Sequence, residues 1–364
     1  MTFRVAKPRR TVVLLVARAG EPGLLGSYGR ALVELGADVR YWDLQQRLDG
    51  AARLGVLGRR FNAFVPVPPW NARANREFVV AARAASPDVI FVAGTARIEP
   101  GALAQIRASL PGTRLVLIWP DTLLNLGPQT IAGLPFYDLV ATYSEQSVSS
   151  FVRLGAQEVR WIPFAADTVL FPADVSTTAE ERRRFACDVV FIGNYRPERE
   201  RAILALLDSG IDVKVWGGTA WTRRSGAPRR ARRYWQGTPI LGADFVRATR
   251  CARAALNVID DTNYPAANMR FFETMACRAA SLVSSCPEMR SFFPEEAGVV
   301  YFDTREQLVS KARALLADEE RTRQIAQEGY QRVLAGHTYV HRAREVLSSV
   351  GLSLDHGSSH ESRS

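Results

Sequence analysis

The chain has 364 residues, of which 47% are hydrophobic and 23% charged. That is an ordinary globular composition, long enough for two domains whose cores need no metal or disulfide staple. Four Cys (Cys187, Cys251, Cys277, Cys286) show no close metal-binding spacing and read as reduced thiols, which excludes a disulfide scaffold and points to the cytoplasm.

The net charge is +10, and 44 of the 47 cationic residues are Arg. Coding bias accounts for this, or guanidinium forks that serve phosphate or carboxylate groups. With Lys confined to Lys7, Lys214 and Lys311, a Schiff-base cofactor is not expected. The apolar run at 12–17 follows a basic start but is too short for a signal-peptide core. No run reaches the roughly 18 apolar residues of a membrane span.

Residues 1–165 alternate between two periodicities. Continuous apolar runs at 11–17, 88–93 (DVIFVA) and 114–119 (RLVLIW) predict strands buried on both faces. Further strands are expected at 38–43, 139–143 and 159–162. Helices are expected at 24–35, 71–85, 100–110 and 145–154. This alternation implies a parallel sheet covered by helices. The stretch 166–187 breaks the rhythm with Pro, Ser-Thr-Thr and a charged run, and reads as a linker.

The alternation then restarts. Strands are expected at 188–193 (DVVFIG), 212–216, 254–259, 280–284 and 299–302, with helices at 198–209, 269–277, 306–316 and 322–335. A domain at 188–336 follows, then a closing helix at 337–352 and a polar, disordered tail at 353–364. The fold class is therefore α/β, two tandem doubly wound domains. Ligands in such folds bind beyond the carboxyl ends of the strands, so a cleft between the domains is the expected site.

The first strand-to-helix turn holds Gly20, Gly23, Gly26 and Gly29. The spacing matches neither a dinucleotide fingerprint nor a P-loop. It is a flexible turn, or a loop that lets an acceptor or phosphate reach a helix N-terminus. The second domain opens with FIGNYRPERER at 191–201. Arg196 and Arg199 at a helix start oppose the helix dipole unless an anion is shared there. The densest signal is NVIDDTNYPAANMRFFETMAC at 257–277. Glu273 lies among apolar neighbours, where a lone carboxylate needs a hydrogen-bonding partner such as vicinal hydroxyls. Asn268 is placed to cap the helix.

These segments, with VKVWGGTAW at 213–221 and PEMRSFFPEEAGVVYFDTREQL at 287–308, resemble the C-terminal half of glycosyltransferases of the two-Rossmann GT-B fold. The likeness is greatest to the group called CgeB-like, related to glycosyl transferases group 1. It implies a hexosyl- or related transferase. Residues 1–165 would take the acceptor, and 188–336 a nucleoside-diphosphate-sugar donor. Glu273 matches the Glu that holds the ribose, and Asn268, Met269 and Arg270 the loop facing diphosphate and sugar. Gly193, Asn194 and Arg196 lie near the phosphates, and Gly217 and Gly218 near the base. Gly20 and Gly23 fall on the acceptor side. Two positions depart from the pattern: Pro265 replaces a second Glu, and Arg278 stands where Gly is usual.

All four His lie beyond residue 336, so an inverting reaction needs a carboxylate base, for which Asp121 and then Glu99 are candidates. No cofactor is expected besides the donor, and no metal, since Arg and helix N-termini stabilise the diphosphate in this fold. The segment from Arg223 to Arg233 (RRSGAPRRARR) lies among Trp221, Tyr234 and Trp235. It reads as a solvated insertion, a mobile loop for an anionic acceptor or membrane surface, or a nucleic-acid contact. A nucleotide-sugar epimerase of the same fold and a nucleic-acid-binding protein are the competing functions.

Overall fold

The structure is a computed structural model and describes residues 10–51, 55, 67–94, 96–226 and 228–354. The chain divides into two compact units. One holds residues up to Ile162 together with those from Arg342 onward, and the other is Pro163–His341.

The first unit runs β1 (Val12–Val16), α1 (Leu24–Glu34), β2 (Asp38–Tyr41), α2 (Leu44–Ala51), α3 (Pro68–Ala85), β3 (Val89–Ala93), α4 (Pro100–Ser109), β4 (Arg114–Trp119), α5 (Pro128–Gly133), β5 (Leu139–Thr142), α6 (Val148–Arg153) and β6 (Val159–Trp161). Its strands form one parallel sheet in the order β2-β1-β3-β4-β5-β6. β1 and β5 are buried along their whole length, as helices on both faces require. Pro opens α3, α4 and α5, where its missing N–H costs nothing. One core joins Leu14, Val92, Leu117 and Trp119 to Phe78, Ile106 and Phe151.

The second unit continues with α7 (Ala179–Phe185), β7 (Cys187–Ile192), α8 (Pro197–Asp208), β8 (Val213–Trp216), α9 (Ala220–Arg223), α10 (Pro228–Tyr234), β9 (Trp235–Gly237), α11 (Gly242–Cys251), β10 (Ala252–Asn257), α12 (Met269–Ala276), β11 (Ser281–Ser284), β12 (Val299–Phe302), α13 (Arg305–Ala317) and α14 (Glu319–Gly336). The final helix α15 (Tyr339–Ser349) contains the boundary at His341/Arg342. The sheet is again parallel, ordered β12-β11-β10-β7-β8-β9. Alternate residues face opposite cores. Val189, Phe191 and Val215 meet Ile203, Leu206 and Leu308, whereas Val190, Ile192 and Trp216 meet Phe171, Phe185 and Phe245.

Several elements differ from the sequence reading. The 166–187 segment carries α7, started by a capping box in which Thr178 Oγ1 accepts from Glu181 N (3.2 Å) and Glu181 Oε2 accepts from Thr178 N (2.8 Å). Its Phe185 is fully buried. The segment from Arg223 to Arg233 is no loop insertion. It spans α9 and α10, and Trp221, Ala231 and Tyr234 sink into the core beside Ile203. Those three apolar residues hold the segment down while its cations stay outside. The expected tail at 353–364 falls, from residue 355 on, outside the described residues. Among the described residues no helix is long and apolar enough to cross a membrane.

Candidate functional site

Strand order reverses between β1 and β3 in the first sheet and between β7 and β10 in the second. Helices leave opposite faces at such a point and open a crevice beyond the carboxyl ends of the strands. A cavity lies at each.

In the second unit the cavity is small, about 40 Å³, and is lined by Gly193, Arg199, Asn257, Asn268, Arg270 and Thr274 among others. Asn268 is the N-cap of α12, its Oδ1 accepting from Phe271 N at 3.1 Å. A reciprocal amide pair with Asn257, 2.9 Å in each direction, locks that cap to the end of β10. The remaining free N–H groups of the first turn of α12 carry the positive end of its dipole. Arg270, the second residue of the helix, donates from Nε to Ile192 O (3.2 Å), and its guanidinium lies 4.6 Å from the centre of the Phe245 ring.

Glu273 is 3% exposed and pairs with Arg270 on the same helix. The carboxylate that the sequence leaves alone thus has a protein partner. Burial still raises its pKa, opposed by the Arg270 charge and hydrogen bond. The two other arginines take different roles. Arg199 is absorbed into the fold: Nη1 donates to Asn194 O (3.0 Å), Nε to Val258 O (3.3 Å) and Nη2 to Asp260 Oδ2 (3.0 Å). Arg196 is half exposed, and its Nε lies 3.6 Å from Asp260. Asp260 is buried. Desolvation alone would raise its carboxyl, but hydrogen bonds from Thr262 and Asn263 and the charges of Arg199 and Arg196 hold it below the usual range.

Gly193 and Gly217 are explained by packing. The Gly193 carbonyl accepts from Trp221 Nε1 at 2.9 Å. A methyl on Gly217 would fall onto that carbonyl and the Trp221 indole. Gly218 has open space where a Cβ would stand. Asn194 is exposed, and Met269 opens α12.

In the first unit the cavity measures about 440 Å³ and is lined by Glu21, Asp43, Arg18, Arg97, Leu25 and Leu48 among others. Gly20, at φ 74°, turns the chain into Glu21, and Gly23 is the N-cap of α1. Burial raises the Glu21 carboxyl; the Arg18 main chain opposes this and Asp43 adds to it. The two expected base candidates stand apart from this cavity wall. Asp121 closes a turn, with Oδ1 accepting from Thr122 N and Oδ2 from Asn125 Nδ2, each at 2.7 Å. Glu99 precedes α4, its main-chain N held by Asn75 Oδ1 at 2.8 Å.

Sequence reasoning passed over Asn257 and Glu21. Asn257 ends a strand, and Glu21 sits inside the Gly-rich turn; position beyond a parallel strand was the available signal for both. Among the described residues no group of three or more His, Cys, Asp or Glu is placed to hold a metal ion.

Residues 196–348 match the model of a family described as glycosyl transferase-like. No curated protein matches the chain by sequence. Solved structures do match nearly end to end. One is sucrose-phosphate synthase from Thermosynechococcus elongatus, with 14% identity, 93% of this chain and 97% of that one covered, and a TM-score of 0.64. A glycosyltransferase from Rickettsia africae has 10% identity, 93% and 97% coverage, and a TM-score of 0.66. Anabaena Alr3699/HepE in complex with UDP-glucose has 13% identity, 94% and 100% coverage, and a TM-score of 0.61. The fold is that of GT-B glycosyltransferases. It accounts for the two parallel six-stranded sheets and for a cavity at each reversal of strand order.

Proposed function

We propose that the protein is a glycosyltransferase, of the CgeB-like group, that moves a sugar from a nucleoside-diphosphate-sugar donor to an acceptor. The observation that carries this is the start of α12. There Asn268 fixes a helix N-terminus, and Arg270 and the buried Glu273 follow within the first two turns, all at the β7/β10 reversal. An N-terminus with a neighbouring guanidinium is a diphosphate cradle, and a buried carboxylate is a ribose partner. The family match over 196–348 and the neighbour solved with UDP-glucose support the same reading.

In this mechanism an acceptor hydroxyl attacks the anomeric carbon while the bond to the diphosphate breaks. Arg270, Arg196 and the α12 N-terminus stabilise the departing charge without a metal ion. Gly193 and Asn194 lie along the phosphates, and Gly218 leaves room for the base. The acceptor occupies the larger cavity beside Gly20 and Gly23. If the reaction inverts, Glu21 joins Asp121 and Glu99 as a candidate for the proton acceptor, because its raised pKa and place in the cavity wall suit that role.

Thermal-shift titration with nucleoside diphosphates and their sugars tests this. At a hundred times its Kd, a ligand specific for the native state adds about 2.7 kcal/mol. One base should raise Tm, and Arg270→Ala should abolish the shift. A panel in which no nucleotide shifts Tm overturns the reading.

A further inference from the structure

α12 has a second end, and Arg278 stands just beyond it. The helix closes at Cys277, and Arg278 N donates to Met275 O at 2.9 Å with φ at 56°. Helices commonly end with a left-handed residue here, and it is normally Gly, because any Cβ is strained at that φ. A residue kept in a sparsely populated conformation suggests that its side chain has a use. The Arg278 guanidinium lies 4.3 Å from the centre of the Tyr330 ring and makes no ion pair among the described residues.

Arg278 lines a cavity of about 470 Å³ at the amino ends of β10 and β11, away from the α12 N-terminus. Arg250, Arg253 and Arg323 share its wall, and Glu319 is the one carboxylate there. Arg250 donates to Ala173 O at 2.7 Å, Arg253 reaches Asp188 at 3.4 Å, and Arg323 pairs with Glu319 and Glu320. A guanidinium has five N–H donors, so all four retain donors to offer. Thr249, also in the wall, is 1% exposed, and its hydroxyl has no hydrogen-bond partner. With Asp188 and Glu320 counted beside Glu319, the four arginines leave an excess of one positive charge, and the wall adds unused donors around a space of small-molecule size.

We propose that this cavity is a binding site for a small phosphate-bearing anion, with Arg278 as its principal contact. Phosphate oxygens match the planar guanidinium fork, and several arginines can share one phosphate. Arg250, Arg253 and Arg323 supply further charge, and Leu315 and Ala326 give the rest of the molecule an apolar wall. The proposal does not rest on the donor reading: the two cavities share Thr249, but Arg278 lies at the other end of the same helix.

Cys251 provides a local reporter. It lines this cavity and is part-exposed, whereas Cys187, Cys277 and Cys286 are buried. The test is alkylation of Cys251 by N-ethylmaleimide at mildly alkaline pH, followed by peptide mass. Inorganic phosphate is titrated against chloride at constant ionic strength. The wild type should show saturable protection of Cys251. Arg278→Gly, which suits the left-handed backbone and so keeps the fold, should weaken the apparent phosphate Kd about tenfold. Arg196→Ala, at the proposed donor site, should be protected like wild type. Absence of saturable protection in the wild type, or equal protection in Arg278→Gly, overturns the proposal. Loss of protection in Arg196→Ala would also overturn it, because the phosphate would then be acting from the donor site.

Discussion

Arg199 Nη2 lies 3.0 Å from Asp260 Oδ2, tying the first turn of α8 to the loop after β10 across the point where strand order reverses. Both side chains are nearly buried, at 11% and 6% exposure. Removing one partner strands the other charge, which typically costs about 3–5 kcal/mol. Asp260→Ala should therefore lower the unfolding free energy read from urea titration by that order and loosen residues 194–199. The Asp260 carboxyl titrates below its ordinary value, so the stability it contributes is present above the usual carboxylate range and is lost as pH falls through its folded pKa. The gap between wild type and Asp260→Ala should be widest near neutrality and close on acidification. A gap independent of pH would show that the pair is not what holds the two segments.

Glu273 titrates in the opposite sense. Burial raises its folded pKa despite Arg270. Its contribution to stability is thus fully present below the ordinary carboxylate range and is lost as pH rises through the folded value. Glu273→Gln keeps the shape and removes that loss. Relative to wild type, the variant should gain stability as pH is raised from about 4.5, as read from urea midpoints. If the carboxylate also grips the ribose, nucleotide affinity should fall in the same variant, by about 1.5–3 kcal/mol for a charge-assisted contact.

The alternation of apolar strands and amphipathic helices was legible along most of the chain, because a parallel sheet covered on both faces leaves unbroken runs such as 114–119. The region from 219 to 251 was not. Its helices are short, and its apolar residues are scattered among Arg, so Trp221, Ala231 and Tyr234 show no periodicity although all three are buried together. At the site, Asn268 was readable as a cap from its place before an apolar helix. The partners were not: that Arg270 reaches Glu273, and that Arg199 serves Asp260, depends on rotamers and on loops brought together by the fold.

Adjacent glycines after β8 separate packing from binding. Gly217 has no room for a Cβ between the Gly193 carbonyl and the Trp221 indole, whereas Gly218 has nothing near. Gly217→Ala should destabilise by roughly 1–3 kcal/mol, as overpacking does, and shift the Tm accordingly. Gly218→Ala should melt with wild type. If Gly218 borders the nucleotide base, that silent variant should nonetheless bind nucleoside diphosphate more weakly, measured by calorimetry.

The arginine-rich segment is fastened by a buried carboxylate. Glu200, at 6% exposure, accepts from Ser225 Oγ, from Tyr195 OH (3.1 Å), from Gly226 N (3.3 Å) and from Tyr234 OH (3.4 Å). In Glu200→Ala, Tyr195 OH keeps the Arg224 carbonyl at 2.8 Å, while the other donors lose their shared acceptor, each at about 1–3 kcal/mol where no water replaces the bond. Amide exchange across 220–237 should accelerate in that variant well before global unfolding. Arg229, Arg232 and Arg233 are exposed, so their replacement by Ala should change stability by no more than about 0.5 kcal/mol. Trp221 and Tyr234 are buried and have no face to stack on a base. Trp235 is part-exposed, so it is the one ring of the three left to stack, and any affinity of the segment for single-stranded nucleic acid should be mainly electrostatic. It should weaken with the three arginines, since Arg223 and Arg224 stay exposed, fall steeply with salt and show no quenching of Trp221 fluorescence. Quenching on binding would mean that the segment opens and exposes its aromatic side.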